Sequence, residues 1–419
     1  MTDFCLVRQP VFGVNGALIA YDLRFNDPEE GQQAFAQSLL NGTFDLVRNR
    51  QPAFVAATRE QLLGDAFLVA EAGSTIVMLP RDLAPDADVI EAVKRYRQAG
   101  GVLALEAVRT DAAPADVFLP WAQWARVPAR GASAEQMAQV HRRIGEIIAS
   151  VPGATAPSLL ACDIEQNAEY EAVRALGFAG FQGSFFSRPE PLPSAQMPQG
   201  TVAAMRLMGM ARNPDCSDRQ LEDVIATDPV LTFQLLRLVN SAALGGRGVS
   251  SIGQALRLIG RSAFLRWLAV AVAATRKSKT GVDQELVRQA VERGRLLEQL
   301  AGGGRDGGTL FLVGLFSLLD GVFRMPLDEI LQRVVLSDDA VAALLRREGP
   351  YADALTFAES YELGLFEHAT QLARDLGVNP DKISEFYTNA IVWTAEALSA
   401  ALEPAGAGAG TGAGLRRAG

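Results

Sequence analysis

Asp22 stands alone inside an apolar alternating run, ALIAYDLRF at residues 17–25. On a strand, Ile19, Tyr21, Leu23 and Phe25 share one side while Asp22 and Arg24 share the other. A buried carboxylate is costly unless it is paired or set on a metal. Two readings follow: a strand-end acid that reaches water, or the remnant of an active site. Histidine limits the alternatives, because the chain holds only two, His141 and His368. Both fall in amphipathic helical patterns and are expected on the surface, which leaves nothing for a histidine-rich metal site or a Ser-His-Asp relay. The three cysteines, Cys5, Cys162 and Cys216, are odd in number, far apart and never in a CxxC pair. That suits a reducing compartment and no disulfide framework.

The elements that must position these groups change character along the chain. DFCLVRQPVF and ALIAYDLRF flank GVNG, and Asn15-Gly16 is the dipeptide preferred where both central turn residues need positive φ, so the first two strands should run antiparallel. PAFVAAT, STIVMLP, GVLALEA, WARVP, SLLACDI and GFQGSFF then read as short buried strands. Amphipathic stretches lie between several of them, one being DVIEAVKRYRQAGG, closed by Gly100-Gly101. Such alternation implies a mostly parallel sheet, which a barrel closes economically. The four prolines of SRPEPLPSAQMPQG, residues 187–200, mark an interdomain linker. Beyond it the pattern is helical. Ser217 with Gln220 forms a capping box, Asp228-Pro229 caps and starts a helix carrying Leu231, Leu235 and Leu238, and SSIGQALRLIG ends at Gly260.

Composition bounds the whole. A chain of 419 residues with 49% hydrophobic and 21% charged residues predicts at least two globular domains. A formal charge of −9 argues against a broad nucleic-acid footprint. The start, MTDFCLVRQPVF, lacks signal-peptide features, and WLAVAVAA at 267–274 falls far short of the roughly 20 residues of a membrane span, so a cytoplasmic protein is expected. The glycine-rich end neither follows a strand nor opens a helix, so it reads as a disordered tail rather than a phosphate loop.

RQPVFGVNGALIAYDL, GVLALEA and ACDIEQNAEYEAVRALGFAGFQGSFFSRP resemble, in order and spacing, an EAL domain, the barrel that hydrolyses cyclic di-GMP. IATDPVLTFQLLRLVNSAALG followed by SIGQALRLIG resembles an HDOD domain, a helical relative of HD hydrolases. The fold expected is therefore α/β plus all-α: a (β/α)8-like barrel with an antiparallel first strand over 1–190, a linker over 191–200, a helical HDOD domain over 201–402 and a tail over 403–419. In active EAL enzymes the resemblance implies two divalent cations held by acidic and amide side chains, and hard cations need several oxygen ligands. This chain departs from that pattern. The motif glutamate becomes Asp22, the metal-binding asparagine aligns with Ala56, and a strand glutamate falls near Val77. The paired aspartates become Glu106 and Ala107, the lysine is at best Arg126, and the catalytic glutamate becomes Cys162. Asp22, Glu106, Glu165 and Gln182 survive as a remnant pocket. Cys162 has no aligned histidine to activate it and is expected to be a small buried residue.

The HD-like stretch, FLVGLFSLLDG, places Ser317 and Leu318 where a His-Asp dyad would stand, with Asp320 one turn on. Asp228, Pro229, Asn240 and Ser241 match recurrent HDOD residues and are assigned structural roles. The resemblance thus implies a catalytically inactive signalling protein, without metal or other cofactor. It would act through contact with other signalling proteins in cyclic di-GMP-linked control of motility, biofilm or virulence, without nucleic acid or membrane. A cyclic di-GMP receptor and a residual metal-dependent phosphodiesterase are the alternatives. Against binding stands Asn26, which occupies the place of the arginine that meets the ligand.

Overall fold

The computed structural model describes residues 6–402 except 27–42, 72, 188–198, 214, 228, 241–247, 275–279, 303–305 and 335. Asn15 and Gly16 reverse the chain between β1 (Leu6–Gly13) and β2 (Leu18–Phe25), which pair antiparallel with Gln9 opposite Asp22. β3 (Ala53–Ala56), β4 (Thr75–Leu79), β5 (Val102–Leu105), β6 (Trp124–Pro128), β7 (Ser158–Ile164) and β8 (Gly180–Gly183) follow, each parallel to the strand before it. β8 returns antiparallel to β1, and the eight strands close a barrel in chain order. The helices between them are α1 (Thr43–Val47), α2 (Arg59–Leu63), α3 (Ala87–Gln98), α4 (Ala134–Ala149) and α5 (Asn167–Ala175). Asp86 caps α3 by accepting the Val89 N–H, and Ser133 with Gln136 closes a capping box on α4. Met137, Val140, Ile144 and Ile148 recur at helical spacing and bury the inner face of α4.

Strand alternation sorts the barrel interior into two layers. Val11, Ala20, Phe54, Ile76, Met78, Ala104 and Leu160 form an apolar plug, and each large side chain buried there contributes about 1.5–3 kcal/mol. One pleat nearer the carboxyl ends of the parallel strands the inward positions turn polar, with Asp22, Arg126 and Gln182 all buried. Val77, expected at a ligand position, is an error of register: on β4 the inward residues are Ile76 and Met78, and Val77 points out against the helices.

The helical half runs α6 (Gln199–Arg212), α7 (Asp218–Ile225), α8 (Pro229–Val239), α9 (Ile252–Ala274), α10 (Gly281–Leu300) and α11 (Gly307–Phe316). It continues through α12 (Leu319–Phe323), α13 (Leu327–Leu331), α14 (Asp338–Arg346), α15 (Ala352–Glu362), α16 (Phe366–Asp375) and α17 (Ile383–Leu402). Among the described residues no strand follows β8, and no helix is long and apolar enough to cross a membrane. The Ser217 capping box forms as expected on α7, and Gly260 breaks α9 with φ +75°. A Cβ on Gly314 would lie 2.7 Å from the Gly294 Cα, so these two glycines let α10 and α11 approach closely. Of the expected linker, Gln199 and Gly200 instead open α6, and 188–198 lie outside the described residues, as does the tail over 403–419.

The helical half docks on the outer face of the β1–β2 hairpin. Arg8 lies over the Tyr21 ring at 4.6 Å and donates to Glu292 on α10 and to the Val47 carbonyl. The Tyr21 hydroxyl donates to Glu285 Oε2 at 2.8 Å, and the Tyr361 hydroxyl on α15 to the Leu6 carbonyl at 2.8 Å. Tyr387 on α17 accepts the Arg8 N–H at 3.4 Å. These bonds pair most of the polar groups buried at the junction, and the Arg8 Nε is left without a partner.

Candidate functional site at the barrel mouth

Charges alternate from the barrel interior to its mouth. Arg126 donates from Nη2 to Asp22 Oδ2 at 2.8 Å, Arg24 donates from Nε to the same oxygen at 3.1 Å, and Arg24 Nη2 reaches Asp163 Oδ1 at 3.0 Å. Asp22 is 1% exposed, so the reading of an acid that reaches water fails. Arg126 also touches the Met78 sulfur and lies 5.9 Å from the Phe54 ring centroid. Its buried Nε has no hydrogen-bond partner. Glu106, half-buried beside this pair, has its carboxyl pushed up by burial, with Arg126 pulling the other way. Burial likewise pushes the Cys162 thiol up to about 11, consistent with the inert buried role expected of it.

Two non-glycine residues at the mouth adopt left-handed backbone, Ala107 after β5 (φ +51°) and Asp163 on β7 (φ +59°). Each costs on the order of 1 kcal/mol or more and needs surrounding contacts to hold it. At Asp163 the holding contact is Gln182, whose Oε1 accepts the Asp163 N–H at 3.1 Å while its Nε2 donates to Gln9. Here the β7–β8 register slips between Ala161 and Ile164. Glu165 follows and accepts from Arg130. Asn26 and Ala56 are exposed at the ends of β2 and β3.

A cleft of about 800 Å³ opens over this mouth, and both halves of the chain wall it. The barrel contributes Arg24, Arg130, Asp163, Glu165 and Gln182. The helical half contributes Arg293, Ser317, Leu318 and Glu362. Arg293 is gripped by Glu362 through Nε–Oε1 at 2.9 Å and Nη2–Oε2 at 2.6 Å, and its Nη1 donates to Ser317 Oγ at 2.8 Å. Ser317 in turn donates to the Gly314 carbonyl. The positions of the HD-like dyad therefore face the same space as the barrel mouth. Asp320 lies at the start of α12, where its carboxylate accepts the Gly321 N–H at 2.8 Å. Arg24 and Arg130 were absent from the expected site. Their one sequence signal is position, at or just past the carboxyl ends of β2 and β6, where barrels place functional groups.

The residues present do not fit a pair of divalent cations. Ala56 and Ala107 offer no side-chain oxygen, both Asp22 oxygens face the Arg126 guanidinium, and the described residues contain no group of three or more His, Cys, Asp or Glu able to hold a metal ion. Elsewhere, Asn240 exchanges two 2.7 Å hydrogen bonds with the backbone of Val249, pinning the end of α8, which Pro229 begins. Asp228 and Ser241 lie outside the described residues.

The HDOD family model matches residues 197–322. Residues 197–322 are an HDOD domain. Helices α13 to α17 lie beyond that match and complete the helical half. A protein of Vibrio cholerae serotype O1 named cyclic di-GMP phosphodiesterase CdgJ is 25% identical over 410 residues, spanning 93% of this chain and 92% of its own. The protein YuxH of Bacillus subtilis, whose name carries no activity, is 23% identical across 93% of this chain and 97% of its own. Among solved structures, an EAL domain protein of Listeria monocytogenes aligns with 45% of this chain and 88% of its own, at 11% identity and a TM-score of 0.36. The order expected from the sequence, a closed eight-stranded barrel before the HDOD domain, is the order found.

The expectation of a catalytically inactive protein is corrected. A relative matched along nearly the whole chain, HDOD domain included, is named as a phosphodiesterase. Comparing single positions with a motif records which oxygen donors are missing, and that does not establish that chemistry is lost.

Proposed function

We propose that this chain is a cyclic di-GMP signalling protein that binds the dinucleotide in the cleft between the barrel mouth and the HDOD domain. The observation that carries the reading is the position of Arg24 and Arg130 on the barrel wall of that cleft. A cyclic dinucleotide carries two phosphodiester anions, and arginine meets such groups with paired, charge-assisted hydrogen bonds. Both arginines now hold carboxylates. Those pairs reach solvent, with side-chain exposures of 30% and 39% for Arg24–Asp163 and 62% and 44% for Arg130–Glu165. Exposed pairs are worth about 0–1 kcal/mol, so phosphate displaces the carboxylate at small cost. The Arg126–Asp22 pair below is buried and stays as the floor. Titration calorimetry of the full chain with cyclic di-GMP tests the reading. Saturable binding weakened by Arg24→Ala and Arg130→Ala is expected, and a flat titration at high micromolar ligand refutes it.

Hydrolysis is the second reading, favoured by the name of the Vibrio cholerae relative. A linear dinucleotide product that requires Mg²⁺ or Mn²⁺ and is abolished by EDTA would establish it. A domain boundary between about residue 190 and the start of α6 at Gln199, and a cytoplasmic setting for this signalling, belong to the same proposal.

A further inference from the structure

A second cavity, about 750 Å³, lies at the opposite end of the barrel, where the parallel strands begin. Its lining includes Lys94 and Arg97 from α3, Trp121 and Gln123 from the turn before β6, Trp124 at the start of β6 and Ser158 at the start of β7. None of its lining residues is acidic, although the chain as a whole carries a charge of −9. We propose that this cavity binds an aromatic anion of mononucleotide size, stacked on Trp121 and Trp124 with its charge toward Lys94 and Arg97. The inference is independent of the reading proposed for the barrel mouth.

Both rings are fixed before any ligand arrives. Gln123 accepts the Leu103 N–H at 2.8 Å through Oε1 and donates from Nε2 to the Trp121 carbonyl at 3.3 Å, tying the Trp121 segment to β5. The Gln123 carbonyl accepts the Ser158 N–H at 2.8 Å, which ties the same segment to β7. Trp121 packs on Phe118 with centroids 5.9 Å apart, and Trp124 meets Phe54 edge-on at 6.0 Å. Gly180 on β8 makes room for the second ring: a Cβ there would lie 3.2 Å from Trp124 Cζ3 and 2.9 Å from Leu160 Cδ1. Lys94 Nζ stands over the Trp121 ring, 6.0 Å from its centroid, so a cation already lies on the face against which the ligand's ring and charge would settle. Rings held this way lose little freedom on binding, and pockets of about 300–1,000 Å³ suit ligands of this size. Barrel enzymes do their chemistry at the other end, so the cavity is a binding site and not a catalytic one.

GMP, guanosine and inorganic phosphate, each titrated into the full chain with tryptophan fluorescence as readout, separate the two requirements. GMP should quench saturably with Kd below about 1 mM, and guanosine and phosphate should each bind at least tenfold more weakly. Lys94→Glu, at an exposed position, and Trp121→Phe, which keeps an apolar ring, should each weaken GMP at least tenfold. Guanosine binding as well as GMP, phosphate binding as well as GMP, no saturable quenching, or unchanged affinity in both variants would each overturn the proposal.

Discussion

Replacing Arg126 by methionine exposes what holds the barrel mouth together. The Arg126 and Asp22 side chains are 4% and 1% exposed, with Nη2 2.8 Å from Oδ2 and Nη1 3.4 Å from Oδ1. Removing one partner of a buried pair costs about 3–5 kcal/mol, because the charge left behind keeps its desolvation penalty without its counter-ion. Arg24, whose side chain is 30% exposed, still reaches Asp22 at 3.1 Å and offsets part of the loss. The expected cost of Arg126→Met is therefore near the low end, about 3 kcal/mol. Asp22→Asn strips the shared anion from two arginines at once, and Arg126 already carries one unpartnered buried nitrogen, so about 4 kcal/mol is expected. With both substitutions neither charge is stranded by the other, and the combined cost should fall short of the sum by about 2 kcal/mol, within the range measured for contacting residues. Urea unfolding of the full chain followed by circular dichroism, extrapolated linearly to water, measures all three. Either single variant within about 0.5 kcal/mol of the parent, or an additive double variant, would refute the pairing.

The junction between barrel and helices responds to pH through Glu292. Burial pushes its carboxyl up to about 7, with Arg8 and Arg288 opposing and Glu285 and Glu362 reinforcing. The folded chain then keeps a proton that the unfolded chain, near 4.5, has released. Stability falls as pH rises from about 4.5 to about 7; Glu292→Gln should flatten that slope, and an unchanged slope in urea midpoints would count against it. Tyr361→Phe removes the hydrogen bond to the Leu6 carbonyl and should cost about 1 kcal/mol, read by the same unfolding assay; no change would remove that contact from the docking account. At pH 8 a thiol reagent should label Cys162 only after denaturation, because the thiol is buried and its ionisation is pushed up to about 11; labelling at the rate of a free thiol in the native chain contradicts the burial. Binding of cyclic di-GMP should survive EDTA, since arginines carry it; abolition by EDTA would favour the metal-dependent reading.

Local patterns made the barrel strands legible, because each is a short apolar run between turn residues and period-2 alternation fixes its faces. Alternation set Asp22 on the face opposite Tyr21 and Leu23 but left open whether that face met water or a site, and Asn15-Gly16 announced the antiparallel hairpin. The resemblance set the strand glutamate near Val77, one residue out of register, because a run apolar at every position hides its face and only the strand pairing decides between Ile76, Val77 and Met78. Partners across the lumen were beyond reach. Asp22 and Arg126 are 104 residues apart and meet only once β2 and β6 are set on one cylinder.

The helical half shows a different reason for illegibility. Glu285 and Glu292, seven residues apart on α10, share one face of that helix, and a charged face is ordinarily solvated. Here it is buried, because β1 and β2 present Arg8 and Tyr21 outward to meet it. Arg8 alone was a signal: an arginine on the outward side of an apolar strand must be paired if it is covered. Covering it required knowing that helices from the far half of the chain dock there. The same docking makes the mouth a shared cleft, since α15 supplies Glu362 both to Gln9 beside the mouth, through its carbonyl, and to Arg293 behind Ser317. On the proposed reading, a ligand that takes Arg24 from Asp163 acts beside Gln182, which bonds both Asp163 and Gln9. Gln9 in turn carries the Glu362 carbonyl of α15, so the barrel mouth and the helical half are joined by groups already in contact.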